Sequence, residues 1–154
     1  MRLDYIEPFI EATNCILEDV FKMPARKGKL TLHSEPVTSK GLVVVIGLTG
    51  DVEGRVIFDM EPETAVKMAC IMNQSKFDSV QPVVVDSIAE LINMVMGKAL
   101  TILNDKGFSF KLTPPMVFTG NAVINTTIRL ETLVVPFTTD YGELLINVAV
   151  RPVV

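Results

Sequence analysis

The chain has 154 residues, of which 49% are hydrophobic, and carries a net charge of −4 at pH 7. This length suits one domain, residues 1–154, around one hydrophobic core. The acidic balance argues against nucleic-acid binding, because neutralising phosphates requires clustered Lys and Arg. No apolar run reaches the ~20 residues that cross a bilayer, and residues 1–11 lack the uncharged core of a signal peptide. We therefore expect a cytoplasmic protein with no membrane association.

Hydrophobic periodicity predicts a helix over residues 5–23, with Glu7, Glu11, Asn14 and Glu18 on its polar side. The short basic cluster at residues 26–29 follows this helix, and we interpret it as complementing the negative end of the helix dipole. Runs rich in β-forming residues, separated by glycines, predict strands at 30–33, 42–48 and 55–60.

The second half of the chain repeats this alternation. A helix is predicted over residues 61–73, followed by the longest periodic segment of the chain, a helix over 84–106 that ends at Gly107. Strands are predicted at 108–112, 116–118, 123–130, 132–137 and 144–150, with a hairpin turn at 140–142. Strands that come in runs between helices indicate an α+β protein, with an antiparallel β-sheet covered by long α-helices.

The two halves also resemble each other at one constant offset along the chain. Glu7 aligns with Asp86, Glu11 with Glu90, and Asn14 with Asn93. The same offset aligns three residues beyond the first helix with residues of the same type, Gly28 with Gly107, Pro36 with Pro115 and Gly41 with Gly120. Both halves run as a helix followed by strands, which favours an internal pseudo-duplication over chance identity.

Polar residues form a stripe along the long helix. Asp86, Glu90, Asn93 and Gly97 are separated by four, three and four residues, so they share one helix face. Two interpretations are open at this point. The stripe is a functional surface, or Ser87-x-x-Glu90 is a capping box in which Glu90 bonds only the backbone at a helix start.

These residues carry a resemblance to a known family. The segment Asp86-Ser87-Ile88-Ala89-Glu90-Leu91-Ile92-Asn93-Met94-Val95-Met96-Gly97-Lys98 and the downstream Thr113-Pro114-Pro115 resemble the signature of CheX and its relatives CheC and FliY. The resemblance implies a CheC-like fold. It also implies hydrolysis of the aspartyl-phosphate of a CheY-type response regulator in chemotaxis, a two-component signalling pathway.

The resemblance further implies a role for each residue. Asn93 orients the attacking water, Glu90 pairs with a lysine of the receiver, and Asp86 and Pro115 shape the surface around them. The chain would need no cofactor or metal of its own, because the Mg²⁺ belongs to the partner receiver domain. An amide that both donates and accepts hydrogen bonds has the capacity to hold a water in line.

A second candidate site lies on the first helix, where Glu11 and Asn14 repeat the same pair. Glu18 stands there in place of Gly97, so its charged side chain would obstruct docking, and the sequence leaves the activity of this site open. Two rival functions also remain open: a receiver-binding scaffold without catalysis, and a structural subunit like those of the flagellar switch. The apolar run 144–150 favours a homodimer formed through an open sheet edge.

Overall fold

The computed structural model describes residues 3–33, 37–120, 123–124 and 131–153. Within these ranges there are three helices, α1 (Leu3–Phe21), α2 (Pro62–Asn73) and α3 (Pro82–Asp105). The described strands are β1 (Arg26–Lys27), β2 (Thr31–His33), β3 (Val37–Thr38), β4 (Leu42–Gly50), β5 (Val52–Met60), β6 (Phe110–Leu112), β7 (Met116–Thr119), β8 (Val123–Ile124), β9 (Thr132–Thr139) and β10 (Gly142–Pro152). The predicted α+β class and the antiparallel sheet are confirmed.

Eight of the described strands form one antiparallel sheet in the order β1-β9-β10-β5-β4-β6, with β2 beside β9 and β7 beside β4. Strands β3 and β8 pair separately. Alternate residues of the long strands point to the helices, as the two-residue period of a strand requires. Val56, Phe58 and Met60 of β5 are fully buried in the core cluster beneath the helices, whereas Arg55 and Asp59 occupy the alternate positions on the opposite face of the sheet.

The strand pairing has an approximate two-fold symmetry that exchanges the two halves. Strands β5 and β10 pair at the centre, and each is flanked by its hairpin partner, β4 or β9. The short strands then cross over, because β1 and β2 of the first half pair with β9, while β6 and β7 of the second half pair with β4. This arrangement supports the predicted pseudo-duplication.

The register of the short strands departs from the predicted constant offset. Phe137 of β9 and Leu48 of β4 are both buried in the core, and we match them as equivalent positions of the two halves. Lys27 pairs with Phe137 and Leu112 pairs with Leu48, so this match makes Leu112 the counterpart of Lys27, further along the chain than the constant offset would place it. The backbone hydrogen bond from Gly28 N to Pro136 O, 2.8 Å, has its counterpart from Thr113 N to the carbonyl of Gly47, 3.0 Å. Gly28 therefore corresponds to Thr113. The constant offset predicted Gly107 as its counterpart, and that prediction is wrong. Pro36 lies outside the described residues.

Helix length explains most of this change in offset. Helix α1 ends at Phe21, followed by Lys22 at a positive φ of 56°, and Pro24 discourages any continuation. The constant offset matches Phe21 with Leu100, yet α3 continues past that position to Asp105. Gly107, with φ of 92°, then closes α3 as predicted.

Two predictions for the later strands need correction, and part of a third falls outside the structure. The strand predicted at 108–112 begins only at Phe110, because the Phe108 N–H still bonds the Leu103 carbonyl at the end of α3. Of the strand predicted at 123–130, the described part is β8, and residues 125–130 lie outside the described residues. Strand β10 pairs with both β5 and β9, so the open edge predicted at 144–150 is wrong. A homodimer stays a prediction, but an open sheet edge at 144–150 no longer supports it.

Candidate functional site

Helix α3 owes its position to a continuous apolar stripe. The sequence predicts an inward stripe of Ile88, Leu91, Ile92, Val95, Ala99, Leu100 and Leu103. All of these residues are fully buried except Leu100, which is partly buried, and Val84 near the helix start is fully buried as well. Pro82 starts the helix, where its missing N–H costs no hydrogen bond. Because this stripe fixes the rotation of α3 about its axis, the opposite face of the helix is held towards solvent.

The polar stripe predicted from the sequence lies on this outer face. Asp86, Glu90 and Asn93 are all exposed. Within the described part of the chain, none of the three side chains has a hydrogen bond or an ion pair with another residue. Residues three apart on a helix have Cβ atoms about 5–6 Å from each other, so Glu90 and Asn93 can reach the same partner surface. The carboxylate and the amide are available for an intermolecular contact.

The capping-box interpretation of Glu90 is wrong. The helix begins at Pro82, with Gln81 as its N-cap, so Ser87 and Glu90 lie inside the helix. The Ser87 hydroxyl donates to the Val83 carbonyl over 2.7 Å and accepts a hydrogen bond from the Asn73 amide, also 2.7 Å. Ser87 thus links α3 to the end of α2, and Glu90 does not cap the helix.

The residues that follow Asn93 leave an open space on the same face. A Cβ built on Gly97 meets no atom within 4 Å. Glycine in a helix interior costs about 0.5–1 kcal/mol relative to alanine, and packing within the described chain gives no reason for it here. Met94 is 37% exposed beside this gap, whereas Met96 is fully buried. The surface around Asn93 therefore has no side chain projecting at Gly97 and is partly apolar at Met94, which suits contact with another protein.

Pro115 lies half-buried between β6 and β7. The segment that carries it is fastened to β4, because Thr113 Oγ1 accepts a 2.8 Å hydrogen bond from the Gly47 N–H. A Cβ on Gly47 would come within 3.1 Å of the Thr113 methyl carbon, so glycine permits this close approach. By the strand register that matches Lys27 with Leu112, Pro115 corresponds to Leu30 in the first half.

The pair on α1 has a different setting. Glu11 is exposed and Asn14 is half-buried. Both line a groove of about 530 Å³ between α1 and the edge of the sheet, together with Leu3, Glu7, Ile10, Ala25, Lys27, Leu30 and Phe137. The structure thus brings Glu11 and Asn14 into one concave surface, and it places Leu30, the counterpart of Pro115, beside them.

Sequence reasoning missed the position of Lys27. The basic cluster was interpreted as a helix-end feature, but Arg26 and Lys27 form β1 and pair with β9, and Lys27 lines the α1 groove. The signal that marks this position is the correspondence with Leu112, which becomes visible only when the strand registers are known.

Among the described residues, Asp59 is a carboxylate whose pKa the fold shifts. Its side chain is fully buried on the sheet face away from the helices. One oxygen accepts a 2.8 Å hydrogen bond from the Lys40 N–H, and the other has no partner among the described residues. Desolvation raises the pKa of Asp59 above its ordinary value, and Lys40 opposes this shift. The group lies apart from the α3 stripe and takes no part in it.

Membrane-spanning helices and metal clusters are not found among the described residues. No helix in these ranges is long and apolar enough to cross a membrane. No group of three His, Cys, Asp or Glu side chains in the same ranges has an arrangement that would hold a metal ion.

Solved and curated relatives connect the fold to a family. A curated CheY-P phosphatase CheX from Thermotoga maritima is 32% identical over 105 residues, which are 68% of each chain. The CheX-CheY-BeF3-Mg+2 complex from Borrelia burgdorferi contains a chain that is 35% identical, with a TM-score of 0.83 over 97% of this chain and 99% of that one. A CheC-like superfamily protein from Shewanella sp. PV-4 is 27% identical, with a TM-score of 0.88 over 98% and 99% of the two chains.

The same family is found by its sequence pattern. The model of the family described as Chemotaxis phosphatase CheX matches residues 42–138. This range contains α3, the Glu90 and Asn93 pair, and the segment that carries Pro115. The chain belongs to the chemotaxis phosphatase CheX family.

Proposed function

We propose that this chain hydrolyses the aspartyl-phosphate of a phosphorylated CheY-type receiver protein, with Glu90 and Asn93 of α3 as the working pair. The observation that carries the proposal is the exposure of both side chains on the outer face of a helix whose other face is locked in the core. Support also comes from the names of two relatives, a CheY-P phosphatase and a CheX bound to CheY. This function requires the chain to share the cytoplasm with its partner.

Asn93 supplies the phosphorylated receiver with an oriented water molecule. The reaction is an in-line attack of water on phosphorus: the bond from water oxygen to phosphorus forms as the bond to the aspartyl oxygen breaks, giving inorganic phosphate and a free carboxylate. The Asn93 amide offers both a donor and an acceptor at a single helix position, which fixes the direction of a water molecule. Ordering a water in this way removes part of the entropic barrier without new covalent chemistry.

Glu90 fixes the orientation of the partner. A receiver lysine beside the phosphoryl group would pair with the Glu90 carboxylate, one helical turn from Asn93. Charge pairs across a desolvated interface set the register of docking as well as its affinity. The Mg²⁺ of the receiver supplies charge neutralisation for the phosphoryl oxygens, so the chain itself contributes an oriented water and a docking surface.

The experiment that tests the proposal follows loss of phosphoryl label from a purified phospho-receiver, with and without this protein. Acceleration that depends on Asn93 supports hydrolysis. Tight binding of the receiver with unchanged decay would instead establish the rival function, a receiver-binding scaffold. Absence of both acceleration and binding, across the receivers of the source organism, would reject the proposed function.

A further inference from the structure

The segment between β6 and β7 is one residue longer than the part of β4 that it lies against. Between the pairing of Leu112 with Leu48 and that of Met116 with Val45, the segment has three residues, whereas β4 has two. The three are Thr113-Pro114-Pro115. An extra residue of this kind interrupts the hydrogen-bond ladder and bends the chain away from it. The ladder itself therefore does not fix where Pro115 lies.

Thr113 provides the hydrogen bonds that hold this segment to β4. Pro114 and Pro115 have no N–H to donate. The Thr113 N–H donates to the Gly47 carbonyl over 3.0 Å, and Thr113 Oγ1 accepts a hydrogen bond from the Gly47 N–H over 2.8 Å. Both backbone polar groups of Gly47 are thus bonded to one residue. The position of Pro115 relative to the sheet depends on this pair of hydrogen bonds, two residues before it.

The corresponding segment of the first half lacks one of the two hydrogen bonds. Residues 28–30 likewise number three against two on β9. Gly28 takes the place of Thr113, and Pro136 takes the place of Gly47. The Gly28 N–H donates to the Pro136 carbonyl over 2.8 Å, but glycine has no side chain that could accept and proline has no N–H that could donate. The hydroxyl-to-backbone bond is therefore particular to the segment that carries Pro115.

This segment leads directly into a strand that contacts α3. Strand β7 begins at Met116, immediately after Pro115, and packs against α3, with Val117 partly buried against the core. Proline keeps its φ near −65°, so the two prolines form a stiff segment whose direction is set where it starts, at Thr113. A surface that is ordered before binding loses less entropy when a partner docks. Holding Thr113 in place therefore favours docking beside α3.

We infer that Thr113 is a positioning residue, which holds Pro115 through Gly47 in the place where the docked receiver contacts it. The inference rests on the proposed function and adds to it a residue that sets the affinity for the phospho-receiver. Thr113 acts through Pro115 and does not touch the reacting atoms. Its effect therefore belongs to docking, which is measured by KM, and not to the chemical step.

The test measures kcat and KM for dephosphorylation of a purified phospho-receiver by the full chain. Thr113→Val removes the Oγ1 acceptor and keeps the shape of the side chain, whereas Thr113→Ser keeps the acceptor. Thr49→Val makes the same change at another exposed threonine, on β4, and serves as the control. Thermal unfolding shows whether each variant is folded at the assay temperature.

We expect Thr113→Val to raise KM about fivefold, the effect of one net hydrogen bond, with kcat unchanged. Thr113→Ser and Thr49→Val should match the wild type. A purely structural role for Thr113 would lower the unfolding temperature and leave KM unchanged in the folded variant, and that result would overturn the inference. An equal rise in KM from Thr113→Ser or Thr49→Val would overturn it too, as would a loss confined to kcat. A wild-type chain that does not accelerate dephosphorylation would instead reject the proposed function itself.

Gly47→Ala tests the same contact from the other strand, and it keeps the inference testable if Thr113→Val does not fold. The backbone of Gly47 lies outside the left-handed region, and an added Cβ would come within 3.1 Å of Thr113 Cγ2. We expect Gly47→Ala to displace Thr113 and raise KM several-fold. Adding Thr113→Ser, which removes that methyl group and keeps the hydroxyl, should restore KM. An unchanged KM in Gly47→Ala, or no recovery in the folded double variant, would contradict the role assigned to Thr113.

Discussion

Helices α1 and α3 each present an acid followed three residues later by an asparagine, and their surroundings separate the two pairs. Glu90 and Asn93 stand on an open face that continues to the gap at Gly97. Glu11 and Asn14 instead line a groove that also contains Lys27. The same short motif therefore lies in two different settings within one chain, and docking depends on the charge and shape of the whole surface.

Asn93→Ala gives the largest expected effect. Acceleration of receiver dephosphorylation should fall by about 10²-fold, the scale expected when a reacting group loses its alignment. Because Asn93 is exposed and has no partner in the described chain, its free energy of unfolding should change by less than about 0.5 kcal/mol. Label-release kinetics and urea unfolding measure the two quantities.

The matched control for this variant is Asn14→Ala, which changes the same residue type on α1. We expect turnover with this variant to equal that of the wild type. A comparable loss from Asn14→Ala would show that both helices work, and the contrast drawn between them would fail.

Glu90→Ala should act on docking more than on turnover. Losing a charge partner at an interface should raise the KM for the phospho-receiver about tenfold, with a smaller change in kcat. Stability should hold, because Glu90 caps no helix. Glu11→Ala is the control and should leave both constants unchanged. A loss of about 1 kcal/mol of stability from Glu90→Ala, as for a removed cap, would contradict the position of Glu90 inside α3.

Gly97→Ala separates stability from docking. Alanine should stabilise α3 by about 0.5–1 kcal/mol, because it is the better helix former and its Cβ has open space. The same methyl group should weaken receiver binding several-fold, on the order of 1 kcal/mol, by filling the gap. Asn104→Ala, an exposed substitution two turns along the same helix, controls for propensity. Unchanged binding by a stabilised Gly97→Ala would show that the gap is not part of the docking surface.

The smallest effect on function is expected from Asp59, remote from both helical pairs. Desolvation raises the pKa of Asp59 in the folded chain above its ordinary value of 3.8. The folded state therefore holds this proton more tightly than the unfolded state. The resulting contribution to stability is full below about pH 4 and is lost as pH rises through the folded pKa.

Asp59→Asn should remove this part of the pH dependence of unfolding while leaving dephosphorylation unchanged. Chemical unfolding at a series of pH values between about 4 and 8 measures the slope. A wild-type slope that persists in Asp59→Asn would assign the pH dependence to another group.

Periodicity was enough to predict all three helices, because an apolar stripe at 3.6-residue spacing is a local property of the chain. It also placed Glu90 and Asn93 on the outer face of α3, since the buried residues define the opposite face. The pairing of the strands was harder to predict from the sequence. No local pattern indicated that β10 lies inside the sheet or that β1 pairs with β9, because strand partners are chosen by contacts between distant residues.

The amino-acid sequence alone determined the helical pairs, the glycine at position 97 and the balance of apolar and polar faces, since each depends on neighbours within a few turns. Only the tertiary structure showed that the α3 pair is exposed on an open helix face and that the α1 pair lines a groove. The pairing of β1 with β9 brings Lys27 into the groove beside α1. The longer α3 changes the offset between the halves, so that the strand registers match Lys27 with Leu112. The effect of a charge on a site depends on the distance between them, and the packing of the chain sets that distance.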